Sequence, residues 1–211
     1  MGKVYDVNGP ALTEAVRTCG AEPVFLGIVR DSVPAIRATV NKALRISDIV
    51  LISGGSSVGA GDLVPRVIDG MGKPGVIVHG LALKPGKPAY IALVRNKPVF
   101  GLPGYPVSAL MVFDQLVADY LHELSGVPRQ RRNVVRAKLS TRVISARGRR
   151  ELVPVRLVRK GGDVLAEPIF KGSGAVTSLS TADGYIEVPL KRELLDEDER
   201  VDVRLFEEGP Q

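Results

Sequence analysis

The stretch DIVLISGGSSVGAGDLVPRVIDG, residues 48–70, decides the fold. An apolar run, Ile49-Val50-Leu51-Ile52, stops abruptly in a loop holding Gly54, Gly55, Gly59 and Gly61 and closing on Asp62. Apolar residues at helical spacing then resume from Leu63. A short β-branched run bounded by glycine reads as a buried strand, and the continuation as a short helix. Strand, glycine loop and helix in that order make one step of an α/β sheet.

The flanks repeat the alternation. Ala11, Leu12, Ala15, Val16 and Cys19 fall at helical spacing, with Asn8 placed to cap and Gly20 to stop. PVFLGIV (23–29) predicts a buried strand, and VPAIRATVNKALRI (33–46) a helix capped by Ser32. GVIVHG (75–80) predicts a strand, 90–94 and 98–102 a hairpin around Arg95-Asn96-Lys97, and 108–124 a long helix ended by Ser125-Gly126. The expectation is a mostly parallel sheet with helices on both faces. From Asn133 the pattern changes: VVRAKL, RELVPVRLV, VLAEPIF, GYIEVPL and RVDVRLF are short, β-branched and punctuated by turns. They predict a small all-β barrel or sandwich and no helix. The expected domains are 1–128 and 133–206, joined by a linker over 125–132.

Composition narrows the function classes. The chain has 211 residues, 45% of them apolar, and a formal net charge of +6. No apolar run reaches the roughly 20 residues that span a bilayer, and the first residues, MGKVYDVNGPALTEA, carry no apolar signal core, so a cytoplasmic protein is expected. Cys19 is the only cysteine, which excludes an internal disulfide and a cysteine-based zinc site. Charge is unevenly spread: residues 129–160 hold 12 Lys and Arg against Glu151 alone, while residues 161–211 hold 5 basic and 12 acidic residues. Such a block attracts a polyanion or forms a solvated face. It contains no aromatic residue to stack bases, so nucleic acid is not the expected partner.

Three loops carry the candidate chemistry. Ser53, Gly54, Gly55, Ser56, Ser57 and Gly59 form a loop whose backbone N–H groups suit an anion. No Gly-Lys-Ser/Thr follows, and the glycine spacing is not G-x-G-x-x-G, so neither a P-loop nor a dinucleotide fingerprint is present. Asp62 either caps the next helix or holds Mg²⁺ against ligand phosphates. Leu83-Lys84-Pro85-Gly86-Lys87-Pro88 sets two lysines on a proline-stiffened turn. Gly101-Leu102-Pro103-Gly104-Tyr105-Pro106-Val107-Ser108 turns a strand into a helix, with Ser108 either capping that helix or meeting an oxyanion. No local His or Asp partner makes Ser108 a hydrolase nucleophile. His79, His122 and Cys19 read as structural.

SGGSSVGAGD, LKPGKP and GLPGYPVSA, in this order, resemble the C-terminal half of the MoeA/gephyrin E-domain family of molybdopterin molybdenumtransferases. GKVYDVNGPAL and LGIVRDS upstream, and GRRELVPVR with GSGAVTSLSTADGYIEVP downstream, extend the resemblance over residues 2–205. It implies a three-layer, MogA-like molybdopterin-binding α/β domain followed by a small β-barrel. It also implies a transferase of molybdenum cofactor biosynthesis: Mg²⁺-dependent insertion of molybdate, or tungstate, into adenylylated molybdopterin, with release of AMP. In that pattern Ser53 to Gly59 cradle the phosphate or nucleotide end, and Asp62 matches the Mg²⁺ ligand. Lys84, Lys87 and Pro88 match the oxyanion site, joined by Ser108 and the turn of Pro103, Gly104 and Pro106. Arg149 and Ser178 match the contribution of the β-domain, with Arg150 and Ser173 as alternatives; Asp31 is a weaker match. Tyr105 stands where the family has Asn. Family members are about twice as long, so the resemblance also implies a homodimer or association with a separate N-terminal half. A non-catalytic molybdopterin-binding or scaffold module is the alternative.

Overall fold

The computed structural model describes residues 5–55, 63–129, 132–170 and 177–206. In chain order the elements are α1 (Asn8–Thr18), α2 (Val33–Ile46), β1 (Val50–Ser53), α3 (Leu63–Asp69), β2 (Gly75–His79), β3 (Leu83–Lys84), β4 (Tyr90–Val94) and β5 (Lys97–Leu102). Next come α4 (Pro106–Val112), a π-helical stretch (Phe113–Val117) and α5 (Ala118–Ser125). Then follow β6 (Val134–Leu139), β7 (Val143–Ile144), β8 (Arg150–Lys160), β9 (Asp163–Pro168), α6 (Thr177–Ser180), β10 (Gly184–Val188), β11 (Leu194–Leu195) and β12 (Arg200–Leu205). They fall into two compact units: residues 1–81 with 86–129, and Ala82–Pro85 with 130–211.

The first unit is a four-stranded sheet in the order β1-β5-β4-β2 between two helical layers. Ile36, Val40 and Leu44 of α2 and Val64, Val67 and Ile68 of α3 share one core with Val50, Ala92, Val94 and Val99. Successive strand residues face opposite ways. Phe100, next to Val99, accordingly meets Tyr120 of α5 at 6.2 Å between ring centres. Only β1–β5 is parallel; β5–β4 and β4–β2 are antiparallel, so the expected mostly parallel sheet is mixed. Arg95 and Asn96 take φ of 53° and 61°, the tight reversal of the expected β4–β5 hairpin, and β2 adds a second antiparallel pair against β4.

The segment 23–29 is not the expected buried strand. It is outside every sheet, and Val24, Phe25 and Ile28 are 54%, 57% and 81% exposed. Its apolar residues fit a strand, but none of the described residues pairs with its backbone. Asn8 is not the helix cap either: Val7 caps α1, and the Asp6 carboxylate accepts from the Gly9 N–H at 3.0 Å.

In the second unit β10-β12-β6-β9-β8 closes on itself through a β8–β10 pairing, giving a five-stranded barrel. Leu139, Val155, Ala166, Val188 and Val203 fill it, each fully enclosed. β3 adds two residues beside the start of β8, with Lys84 opposite Glu151, so half of the Leu83–Pro88 stretch belongs to the barrel unit. The short helix α6 and the strand pair β7–β11 interrupt the expected all-strand pattern. Among the described residues, no helix is long and apolar enough to cross a membrane.

Candidate functional site

The register aligns three strand ends on one edge of the first sheet. Ile52 pairs with Gly101, Gly101 with Tyr90, and Tyr90 with His79. The segments after β1 and β5, and the turn joining β2 to β4, therefore all leave from that edge. Neighbouring strands lie about 4.8 Å apart, so the first two are adjacent and the β2–β4 turn begins one strand beyond β5.

The adjacent pair is tied together. The Gly54 N–H donates to the Leu102 carbonyl at 3.0 Å. The Asn8 side-chain amide donates to Ser53 Oγ at 2.7 Å and to the Gly104 carbonyl at 2.9 Å. Ser53 Oγ in turn lies 3.2 Å from the Pro103 carbonyl. A Cβ on Gly104 would stand 3.5 Å from the Gly54 Cα, so backbone packs on backbone here. Gly54 and Gly55 take φ of 88° and 67°, conformations that favour glycine. Sequence reading missed Asn8 as a site residue. Its partners lie 45 and 96 positions away, and only its place at the start of a helix was visible.

Pro106 opens α4, and Val107 and Ser108 are buried in its first turn. The first N–H groups of a helix lack backbone partners within it, so this turn presents donors beside Gly104. On the β2–β4 turn, the Gly80 N–H donates to the Ala89 carbonyl and the Leu81 N–H to that of Lys87, both at 2.9 Å. Lys87 is exposed and forms no ion pair among the described residues, whereas Lys84 pairs with Glu151 at 2.8 Å.

In the second unit Arg149 is half-buried and has no polar partner among the described residues. Arg150 lies 3.9 Å from Glu187. Ser178, on α6, is enclosed at 1% exposure. Ser56, Ser57, Gly59, Asp62 and Ser173 lie outside the described residues. Among those described, no group of three His, Cys, Asp or Glu side chains could hold a metal ion.

Four residues of the basic block pair with the acidic segment that follows it. Lys138 pairs with Asp163, Arg142 with Asp196, Arg147 with Glu193 and Arg150 with Glu187. Arg132 lies over the rings of Tyr185 and Phe206, at 5.5 and 5.9 Å from their centres. These pairs neutralise part of the face that the linear charge pattern suggests. Burial pushes the Cys19 thiol up, and its Sγ lies 3.3 Å from the Ala15 carbonyl, so it is a packed residue and not an activated nucleophile.

The chain thus combines a three-layer α/β unit, with glycine loops at one sheet edge, and a closed five-stranded barrel. Residues 1–123 match the family described as "Probable molybdopterin binding domain", and residues 136–206 match the MoeA C-terminal region, domain IV. A molybdopterin biosynthesis MoeA protein of Pyrococcus horikoshii is 43% identical, with a TM-score of 0.81, covering 98% of this chain and 49% of that one. A molybdenum cofactor biosynthesis protein of Pyrococcus furiosus is 32% identical, with a TM-score of 0.76, covering 95% and 65%. Molybdopterin molybdenumtransferase 2 of Mycobacterium tuberculosis is 30% identical over 89% of this chain and 47% of its own length. The chain belongs to the MoeA family and carries its molybdopterin-binding and C-terminal domains. It spans about half the length of the curated relatives that it matches along most of its own length.

Proposed function

We propose that the chain binds adenylylated molybdopterin and molybdate, or tungstate, and serves Mg²⁺-dependent insertion of the metal with release of AMP. The observation that supports this reading is the Asn8 side chain tying Ser53 to Gly104, which holds the residues after β1 and β5 together at one sheet edge. Pterin phosphate, pyrophosphate and molybdate are all oxyanions, and fixed N–H and ammonium donors hold such groups strongly. Ser53, Gly54, Gly55, Gly104 and Ser108 form that edge, and Lys87, unneutralised among the described residues, supplies its cation. Lys84, Arg149 and Ser178 are the barrel unit's candidates. Asp62 is the sequence's candidate for Mg²⁺; the described residues add no metal cluster to it.

Titration calorimetry tests this directly. Molybdopterin is expected to bind the folded chain, and its adenylate to bind more tightly when Mg²⁺ is added. Absence of heat with folded protein refutes the reading. The alternative reading is a non-catalytic molybdopterin-binding or scaffold module. Lys87→Ala separates the two: it abolishes complementation of a transferase supplied with the other half, and leaves the partner interactions of a scaffold intact.

A further inference from the structure

Two of the chain's five tyrosines, Tyr90 and Tyr185, are enclosed at 1% and 2% exposure. A third, Tyr120, packs on Phe100. Tyr105 does neither. It is 64% exposed, and among the described residues its ring meets no other ring and its hydroxyl no hydrogen-bond partner. A single exposed aromatic is ordinary in itself. Its place in the fold is not.

Tyr105 directly follows Gly104, in the turn that Asn8 ties to Ser53. The peptide carbonyls on both sides of it are held. The Gly104 carbonyl accepts from the Asn8 side chain, and the Tyr105 carbonyl from the Ala109 N–H, each at 2.9 Å. Pro106 keeps the residue before it out of the helical region, and Tyr105 has φ of −79° and ψ of 131°. The backbone is thus fixed where the side chain is free. A tyrosine side chain has only two χ angles, so ordering it against a ligand costs little entropy.

The edge beside it holds polar donors. Ser53, Gly54, Gly104 and Lys87 suit the charged end of a ligand and offer nothing to a planar ring. Such donors grip any phosphate and do not tell one phosphorylated ligand from another. Discrimination needs a group that meets the uncharged part. We propose that Tyr105 is a specificity-determining residue, whose ring stacks on the planar heterocycle of the phosphate ligand held at this edge. This rests on the reading of the edge as an oxyanion site. Purine and pterin rings share the chemistry that matters, a flat π-face for the tyrosine ring. The edge would then favour phosphates that carry such a ring over phosphates that do not.

Tyrosine emission and calorimetry test this together, since the chain has no Trp to mask the emission. The probes are ribose 5-phosphate, AMP and neopterin monophosphate, titrated into the full chain. At least one ring-bearing probe is expected to bind more tightly than ribose 5-phosphate and to quench the emission. Tyr105→Ala should weaken that probe by about ten- to a hundredfold, and leave ribose 5-phosphate unchanged. Tyr105→Phe keeps a ring and should keep the affinity, while the quenching is lost. Because Tyr105 is exposed, both variants should melt with the parent. Whether AMP or the pterin loses affinity tells which ring the tyrosine meets. An equal loss of ribose 5-phosphate overturns the proposal, for the residue then acts by shaping the turn. A loss in Tyr105→Phe as large as in Tyr105→Ala overturns it too, since the hydroxyl would make the contact. So does a Tyr105→Ala variant that binds every probe as the parent does. If ribose 5-phosphate binds and neither ring adds affinity, the proposal fails and the oxyanion edge stands. If no probe binds, both fall.

Discussion

In the second unit each of the five barrel strands is hydrogen-bonded on both sides, and the sheet has no end. In the first, among the described residues, β1 is bonded on one side only and the apolar segment 23–29 on neither. Both units are rich in Val, Ile and Leu, and both have a filled core. The difference lies in topology. A barrel satisfies its own backbone, whereas an open sheet ends where its partner strands end.

The largest expected effect tests that contrast most severely. Leu139 is fully buried in the barrel, and Leu139→Ala should cost about 2–5 kcal/mol in urea unfolding. Ile28 is 81% exposed, and Ile28→Ala should fall within about 0.5 kcal/mol of the parent. A cost above about 1 kcal/mol at Ile28 would mean that 23–29 packs as a finished strand, and the contrast would break.

Next in size is Gly101→Ala, inside the first sheet. An added Cβ would stand 1.8 Å from the Tyr90 ring, and that ring is itself held edge-on to His79. The strand must shift or the ring must leave its place, at a cost of about 1–3 kcal/mol. Because Gly101 precedes the Pro103–Gly104 turn, molybdopterin binding should weaken along with stability. Unchanged binding in a destabilised protein would separate the sheet from the site.

The lysines of the LKPGKP stretch sharpen the comparison, because the division between units falls between them. Lys84→Ala leaves the Glu151 carboxylate, whose side chain is only 12% exposed, without its cation. The expected cost is about 1 kcal/mol, below that of a fully buried pair because Lys84 is half-exposed. Lys87→Ala removes no ion pair among the described residues and should leave stability within about 0.5 kcal/mol. Thermal melts at equal ionic strength read both. Equal losses would show that the stretch acts as one element.

What the sequence discloses follows the range of the interaction. The barrel strands were legible because alternation and turn residues are local, and so was the hairpin at Arg95-Asn96. Strand direction was not, since the antiparallel run of β2 against β4 depends on a turn that enters the other unit. The apolar character of PVFLGIV was read correctly and its pairing was not, because pairing needs a neighbour that seven residues cannot specify. The glycine loops were visible as motifs, while Asn8, which ties two of them, connects residues far apart in the chain. Charge taught the same lesson: the basic block stood out in the linear sequence, and only the fold sets Asp163, Glu187, Glu193 and Asp196 against it.

The smallest expected effect concerns the turn between β11 and β12, where the barrel closes its last loop. Arg192 meets Glu199 with two hydrogen bonds, of 2.7 and 2.9 Å, and the Asp196 N–H donates to the same carboxylate at 3.2 Å. The Arg192 hydrogen bonds hold the Glu199 carboxyl below its usual range, outweighing partial desolvation, which pushes it up. Lys138 does the same to Asp163. A carboxyl depressed on folding stabilises the folded state above its unfolded value, about 4.3 for Glu. That contribution is lost as pH falls through the lower folded value. Arg192→Ala should therefore destabilise by up to about 1 kcal/mol near neutral pH, less in high salt, since the pair is solvent-exposed. At a pH below the folded value the variant and the parent should unfold together. A difference that persists there would show that Arg192 acts through packing of its stem, and that the barrel's closing turn is held by apolar contact as its interior is.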